Sequence, residues 1–290
     1  MSLASRIGRG EFISIVEVFP PSFNLDPERE PNIGIREKTR DFLERVKSVH
    51  ELADAILITD VKDTTRLKLS TVNSAALLKE ELGIESIPVI TARDSNKAAI
   101  RSTILTALSL GLDSIMLVWG DKFTGAEGPK NVYDYESLSQ MISDVQFLAN
   151  RSGVDLTILA PVDLSLISTE KGQRMTEDRL RSGATFLLAQ PPTTDAYATL
   201  SRHVDVVSKS NSSSRIFLNV FPFRSKPDVD ACRIRFGWDL PKNLDESAQQ
   251  GEAQLLREAR RVSEGVRKAG LRGVYVSTRG RPELARFILE

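Results

Sequence analysis

Ser14-Ile15-Val16-Glu17-Val18-Phe19-Pro20-Pro21 reads as a buried strand that carries one carboxylate and is stopped by two prolines. The pattern returns twice. SIMLVWGD over 114–121 ends its apolar run at Gly120-Asp121, and FLLAQPP over 186–192 ends at Gln190. A carboxylate or amide is costly to bury without a partner, so apolar runs seldom carry one idly. If these strands are parallel and close into a barrel, the three polar groups meet at one rim. In that architecture the rim at the strand C-termini hosts chemistry.

The rest of the chain supports the parallel reading. Short Val/Ile/Leu-rich runs fall at 12–19, 55–59, 87–91, 114–118, 156–160, 185–189, 216–221 and 273–276. Most are continuous rather than alternating, as in strands covered on both faces. Amphipathic segments lie between them, predicted as helices over 36–52, 67–82, 96–110, 135–149, 176–182, 195–207, 252–269 and 281–289. Gly83, Gly111, Gly183 and Gly270 follow helices, as left-handed caps do. Strict alternation implies right-handed βαβ crossovers. A (β/α)8 barrel takes about 250 residues, so the α/β chain is read as a single TIM-barrel domain over 1–290. An open doubly wound sheet is the alternative. It would open on a glycine-rich first turn, where this chain has Phe19-Pro20-Pro21.

Composition narrows the partners. The 39 acidic and 39 basic residues cancel, which argues against nucleic acid or a polybasic membrane contact. No apolar run approaches the ~18 residues of a membrane span. The start, MSLASRIGRGEF, lacks the apolar core of a secretory signal, and the single Cys232 suits a reducing compartment. A cytoplasmic protein is expected. One cysteine and two distant histidines, His50 and His203, argue against zinc.

Several positions carry candidate chemistry. Glu17 is either a structural carboxylate paired inside the barrel or a general acid whose pKa an apolar pocket raises. Gly120 permits close backbone approach to a ligand, and Asp121 either accepts a hydrogen bond there or caps a turn. Gln190 offers donors and an acceptor to a heterocycle edge. Arg93-Asp94 binds an anion or forms a rim ion pair of little worth. Thr59 touches a cofactor or caps a turn, and Tyr133-Asp134 read as a capping arrangement before the fourth helix. Trp119 is a plug or a stacking platform. Phe221-Pro222-Phe223-Arg224 gives an aromatic wall with a cation, or a packed corner. The polar loops 20–32 and 122–131 lie on the predicted rim, where long loops contact ligands. The polar stretch 239–251 reads as a connection between helices.

Together these segments resemble the methylenetetrahydrofolate reductase family. SIVEVFPP is similar to its first-strand motif, and residues 89–121 to its third and fourth βα units. GAEGPKNVYDYESL (125–138) resembles reductase domains fused to homocysteine methyltransferases. SGATFLLAQPP, FPFRSKPDVDACR and VYVSTRGRPELARFIL resemble the sixth to eighth units. The resemblance implies a flavin-containing (β/α)8 barrel that works in one-carbon metabolism and methionine biosynthesis. NAD(P)H or another electron donor would reduce FAD, and 5,10-methylenetetrahydrofolate or a related pterin would become the 5-methyl form. By motif, Glu17 would protonate N10, Asp121 would bind the pterin and tune the flavin, and Gln190 and Phe223 would hold the substrate. Thr59, Trp119, Gly120, Asp121 and Arg179 would contact the cofactor, Arg179 as a phosphate partner. Val89, Trp119 and Ala189 replace the His, Arg or Thr, and Thr common in the family. Residues 172–175 do not show its usual flavin-lining pattern. The competing expectations are a flavin-free, pterin-dependent methyltransferase and a non-catalytic pterin-binding subunit. A homo-oligomer or an electron-donor subunit is an expected partner.

Overall fold

The computed structural model describes residues 3–24, 34–60, 66–121, 131–164, 166–167, 169–190, 215–236, 238, 240–268 and 271–290. Eight parallel strands close into a barrel. In chain order the strands are β1 (Ile13–Val18), β2 (Ser22–Asn24), β3 (Ala55–Ile58), β4 (Arg66–Lys68), β5 (Glu85–Thr91), β6 (Ser114–Val118), β7 (Thr157–Asp163), β8 (Phe186–Gln190), β9 (Ile216–Val220) and β10 (Gly273–Val276). The barrel runs β1-β3-β5-β6-β7-β8-β9-β10, with β10 pairing back to β1. All eight predicted strands are present. β2 and β4 form a separate antiparallel ribbon.

The helices are α1 (Leu3–Gly8), α2 (Ile35–Lys47), α3 (Thr71–Leu82), α4 (Lys97–Ser109), α5 (Leu138–Arg151), α6 (Glu170–Arg181), α7 (Lys226–Phe236), α8 (Asn243–Gln249), α9 (Glu252–Lys268) and α10 (Leu284–Leu289). Caps explain where the boundaries differ from expectation. The third helix starts at Thr71 rather than 67, because Ser70 caps the Asn73 amide and residues 66–68 are spent on the ribbon with β2. The fourth barrel helix starts after Ser137, which caps Gln140. Asp134, expected to cap that same helix, instead accepts from the Lys97 amide at the start of α4, 2.7 Å away. The helix expected over 176–182 begins six residues earlier, where Thr169 caps Gly172 at 3.1 Å. The stretch read as a connection holds α8, and α1 and α7 were not anticipated. Gly83, Gly111 and Gly183 take positive φ as expected. The expected helix 195–207, with His203, lies outside the described residues, as do Gly270 and most of the loops 20–32 and 122–131.

Two cores result. Outward strand residues such as Val16, Ile58 and Leu117 pack under the helices with Phe42, Ile104 and Met141. Inward residues fill the lumen, among them Ile15, Leu57, Ile87, Met116, Leu159 and Phe217. α1 closes the N-terminal end, burying Leu3 and Ile7 in this lumen cluster. An eight-stranded barrel staggers its strands by about one residue each, so alternate strands contribute side chains to layers of four. With the observed register, Leu57, Met116, Leu188 and Tyr275 form one layer; Glu17, Val89, Pro161 and Asn219 form the next towards the C-terminal mouth. Thr59, Val118, Gln190 and Ser277 lie above them. The lumen therefore turns polar at its C-terminal end.

Because α1 supplies apolar filler to a closed lumen, Ile7→Ala is expected to cost about 2–5 kcal/mol of stability. Urea unfolding measures it; a midpoint equal to wild type would show that α1 does not seal the barrel.

Candidate active site

Alternation along β1 directs Ile13 and Ile15 inward with the lumen cluster and Val16 and Val18 outward, so Glu17 also faces the lumen. It is 6% exposed. The Tyr275 hydroxyl donates to Oε2 of Glu17, and the Ser277 hydroxyl donates to Oε1 at 3.2 Å. The Thr278 hydroxyl donates to the Glu17 backbone carbonyl at 2.6 Å, pinning the end of β10 to β1. The Thr59 hydroxyl faces the same carboxyl without closing a hydrogen bond of regular geometry. Burial pushes the Glu17 pKa above its ordinary value, and hydrogen bonds from Tyr275, Ser277 and the Arg279 backbone, with the nearby Thr59 hydroxyl, oppose the rise only in part. Burial and the adjacent Glu17 charge raise Tyr275 well above the ordinary tyrosine range, so its phenol stays a donor. The ion pair weighed for Glu17 in the sequence is replaced by neutral donors.

Gln190 stands one layer above Glu17 on β8, half-buried. Asp121 lies exposed just past β6. All three residues thus stand at the same C-terminal mouth. Gly120 has φ +90°, and a Cβ there would fall 2.5 Å from Thr91 Cγ2 and 3.0 Å from Arg93 Cβ. Any larger residue would meet both a strained backbone and a clash. Arg93 is 4% exposed. It pairs with Asp94 at 2.9 Å and donates to the Asp121 carbonyl, fastening the β6 exit to the β5 exit. It is thus a buried structural latch rather than a rim pair.

Other expected contacts land differently. Phe223 is 2% exposed and sits with Phe221 and Trp238 in an apolar cluster under α7 and α8. That is the packed corner, and Phe223 presents no open face to a substrate. Trp119 points outward from β6, stacked on Tyr133 with centroids 4.5 Å apart and planes 6° apart; the Tyr133 hydroxyl donates to the Gly120 carbonyl at 3.1 Å. Arg179 donates to the Pro161 carbonyl from behind β7, and burial lowers its pKa; its guanidinium is engaged with the strand. Cys232 is buried in the corner cluster as a small hydrophobe.

The sequence reading overlooked three groups. Tyr275 and Ser277 hold the Glu17 carboxyl. Asn219, in Ile-Phe-Leu-Asn-Val of β9, is fully buried, and neither its Oδ1 nor its Nδ2 meets a hydrogen-bond partner among the described residues. The signal for Asn219 was the one used for Glu17, a polar residue inside an apolar strand. Nothing in Gly-Val-Tyr-Val marks Tyr275 as more than strand aromatic.

The sequence profile described as methylenetetrahydrofolate reductase matches residues 4–261. The chain belongs to that family. A reductase-like enzyme acting on a folate-type substrate accords with membership, and the family usually binds a flavin. No curated protein matches the chain. Solved structures give the fold alone. 2,3-Dimethylmalate lyase, a PEP mutase/isocitrate lyase superfamily member, is similar in its triclinic form with TM-score 0.54 and 12% identity, covering 96% of this chain and 82% of that one. Its trigonal form gives 0.52 and 11%, covering 95% and 77%. Oxaloacetate acetylhydrolase in complex with 3,3-difluorooxalacetate gives 0.53 and 10%, covering 95% and 78%. Among the described residues, no helix is long and apolar enough to cross a membrane.

The raised pKa of Glu17 has a definite linkage sign. As pH climbs past the ordinary 4.5, the unfolded chain loses this proton first, so stability falls until the folded-state pKa is passed and is level beyond it. Glu17→Gln removes that loss. The stability of the variant relative to wild type should therefore increase with pH across the window, as followed by denaturant unfolding in this family member; a pH-independent difference would show an unperturbed carboxyl.

Proposed function

We propose that this chain reduces 5,10-methylenetetrahydrofolate, or a closely related reduced pterin, to its 5-methyl form. The observation that carries the reading is the Glu17 carboxyl. It is buried at the catalytic mouth of a barrel of this family, biased toward its protonated form, and held by Tyr275 and Ser277 rather than by a cation. A buried carboxyl whose pKa burial raises is suited to act as a general acid.

In this reading Glu17 donates its proton to N10 of the bound substrate. The bond between N10 and the methylene carbon breaks, its electron pair stays on N10, and the methylene is left as an iminium on N5. A hydride delivered to that carbon gives the methyl group. Tyr275 and Ser277 fix the carboxyl and stabilise the carboxylate left behind, and solvent then restores the proton. Gln190 and Asp121 orient the pterin from two sides of the mouth.

The hydride source is a separate question. Thr59, Thr91 and Gly120 line the β3–β5–β6 side of the mouth, Thr59 next to Glu17. The Thr59 and Thr91 hydroxyls are buried without regular hydrogen-bond partners among the described residues, and Gly120, where Thr91 and Arg93 leave no room for a Cβ, presents bare backbone. These residues fit the polar edge of a flavin ring, which when bound would supply the hydride. An electron donor such as NAD(P)H, a soluble cytoplasmic setting and a homo-oligomer or donor subunit belong to the same proposal. The engaged Arg179 guanidinium favours considering a flavin-free pterin enzyme or binding subunit beside it.

Two measurements test this. Glu17→Gln should retain folate binding but lose roughly 10²–10⁴-fold in folate turnover, assayed under saturating substrate; unchanged turnover removes Glu17 from the chemistry. The protein reconstituted with FAD should bleach anaerobically with a nicotinamide donor and recover its colour on adding methylenetetrahydrofolate. A protein that stays colourless after FAD treatment overturns the flavin and leaves the flavin-free reading.

A further inference from the structure

The Asn219 amide is the one side chain among the described residues whose donor and acceptor atoms are both buried and unpartnered. It is 0% exposed. Both of its hydrogen-bonding atoms lack partners among the described residues, and an amide so placed forfeits the full desolvation cost of a donor and an acceptor. A residue that only filled the lumen would be Val, Ile or Leu, as in the lower layers. Its position is specific. Asn219 is the register partner of Tyr275, whose hydroxyl holds Glu17. By the stagger of the barrel it also shares a layer with Glu17, just below Gln190 and Ser277. Asn219 and Glu17 thus face the same level of the lumen, on strands separated only by β10.

We infer that Asn219 is a substrate-reading residue whose amide pairs with the donor–acceptor lactam edge of the bound reduced pterin, Nδ2–H donating to the 4-oxo oxygen and Oδ1 accepting from N3–H. This rests on the pterin reading above. The chemistry fits the placement: the 4-oxo group is peri to N5, so a ligand that presents N5 and N10 to Glu17 turns its carbonyl the same way. The cost of the orphaned amide in the free protein is recovered when ligand supplies both partners. A ligand lacking the edge leaves them unmet, and that is how buried polar groups discriminate.

The test is a two-by-two cycle of direct binding, by calorimetry, with tetrahydrofolate and its 4-deoxy analogue, which lacks the carbonyl and with it the N3–H. Wild type should bind tetrahydrofolate about 10–100-fold more tightly than the analogue, the scale of one or two buried hydrogen bonds. Asn219→Leu, of similar volume, should weaken tetrahydrofolate by about the same factor and be indifferent to the 4-oxo group, so that the two changes do not add. The thermal midpoint of free Asn219→Leu should equal or exceed that of wild type, since an unsatisfied amide is replaced by an apolar side chain. Asn219→Ser serves the same cycle if the leucine variant does not fold. Equal discrimination against the 4-deoxy ligand by wild type and variant would overturn the inference. So would a lowered midpoint with unchanged affinity, because Asn219 would then be structural. Wild type that binds neither ligand would instead overturn the pterin reading, and this inference with it.

Discussion

A carboxyl taken out of water at the C-terminal end of a closed barrel is what the rest of this site is arranged around. Its desolvation is the largest influence on its protonation. The barrel answers that cost with neutral donors, Tyr275 and Ser277, instead of an arginine or lysine. A cation in their place would favour the ionised form of Glu17. The donors come from β10, the strand that closes the barrel onto β1, and from the residue just past it. Closure of the barrel and burial of the Glu17 carboxyl therefore go together.

The mouth opposite Glu17 is shaped by steric exclusion. Gly120 sits at φ +90° with no room for a Cβ between Thr91 and Arg93. Arg93, buried and tied to Asp94 and the Asp121 carbonyl, holds the exits of β5 and β6 at a fixed distance. Tyr133 closes the outer side through its stack on Trp119 and its bond to the Gly120 carbonyl. Asp121 is thus carried on a rigid exit rather than on a free loop. Rigid placement of side chains is what any orientation-dependent chemistry needs from a protein.

Legibility in the sequence followed the range of the interaction. The eight barrel strands were readable because burial on both faces writes continuous apolar runs, and their parallel order follows from the helices between them. Helix starts were misplaced at 67, 135 and 176 because the deciding caps, Ser70, Ser137 and Thr169, compete with neighbouring polar residues that look equally suitable. α1 and α7 were passed over for another reason. α1 earns its place by filling the lumen, and its short sequence shows no such purpose. Phe223 and Trp119 illustrate the same limit, since an aromatic at a strand exit reads alike whether it faces a ligand or a neighbouring ring.

Sequence alone determined that this chain is an alternating α/β barrel with an acid, a second carboxylate and an amide at strand ends, because strand burial and chain order are local, one-dimensional facts. Only the tertiary structure decided which groups touch. Glu17 and Tyr275 lie 258 positions apart, and nothing in either segment names the other. The stagger of the strands brings them together, sets Asn219 beside them, and turns Phe223 and Arg179 to tasks their sequence neighbours do not betray. Side-chain direction in a barrel depends on register with strands far away in the chain, and that register is fixed only when the cylinder closes.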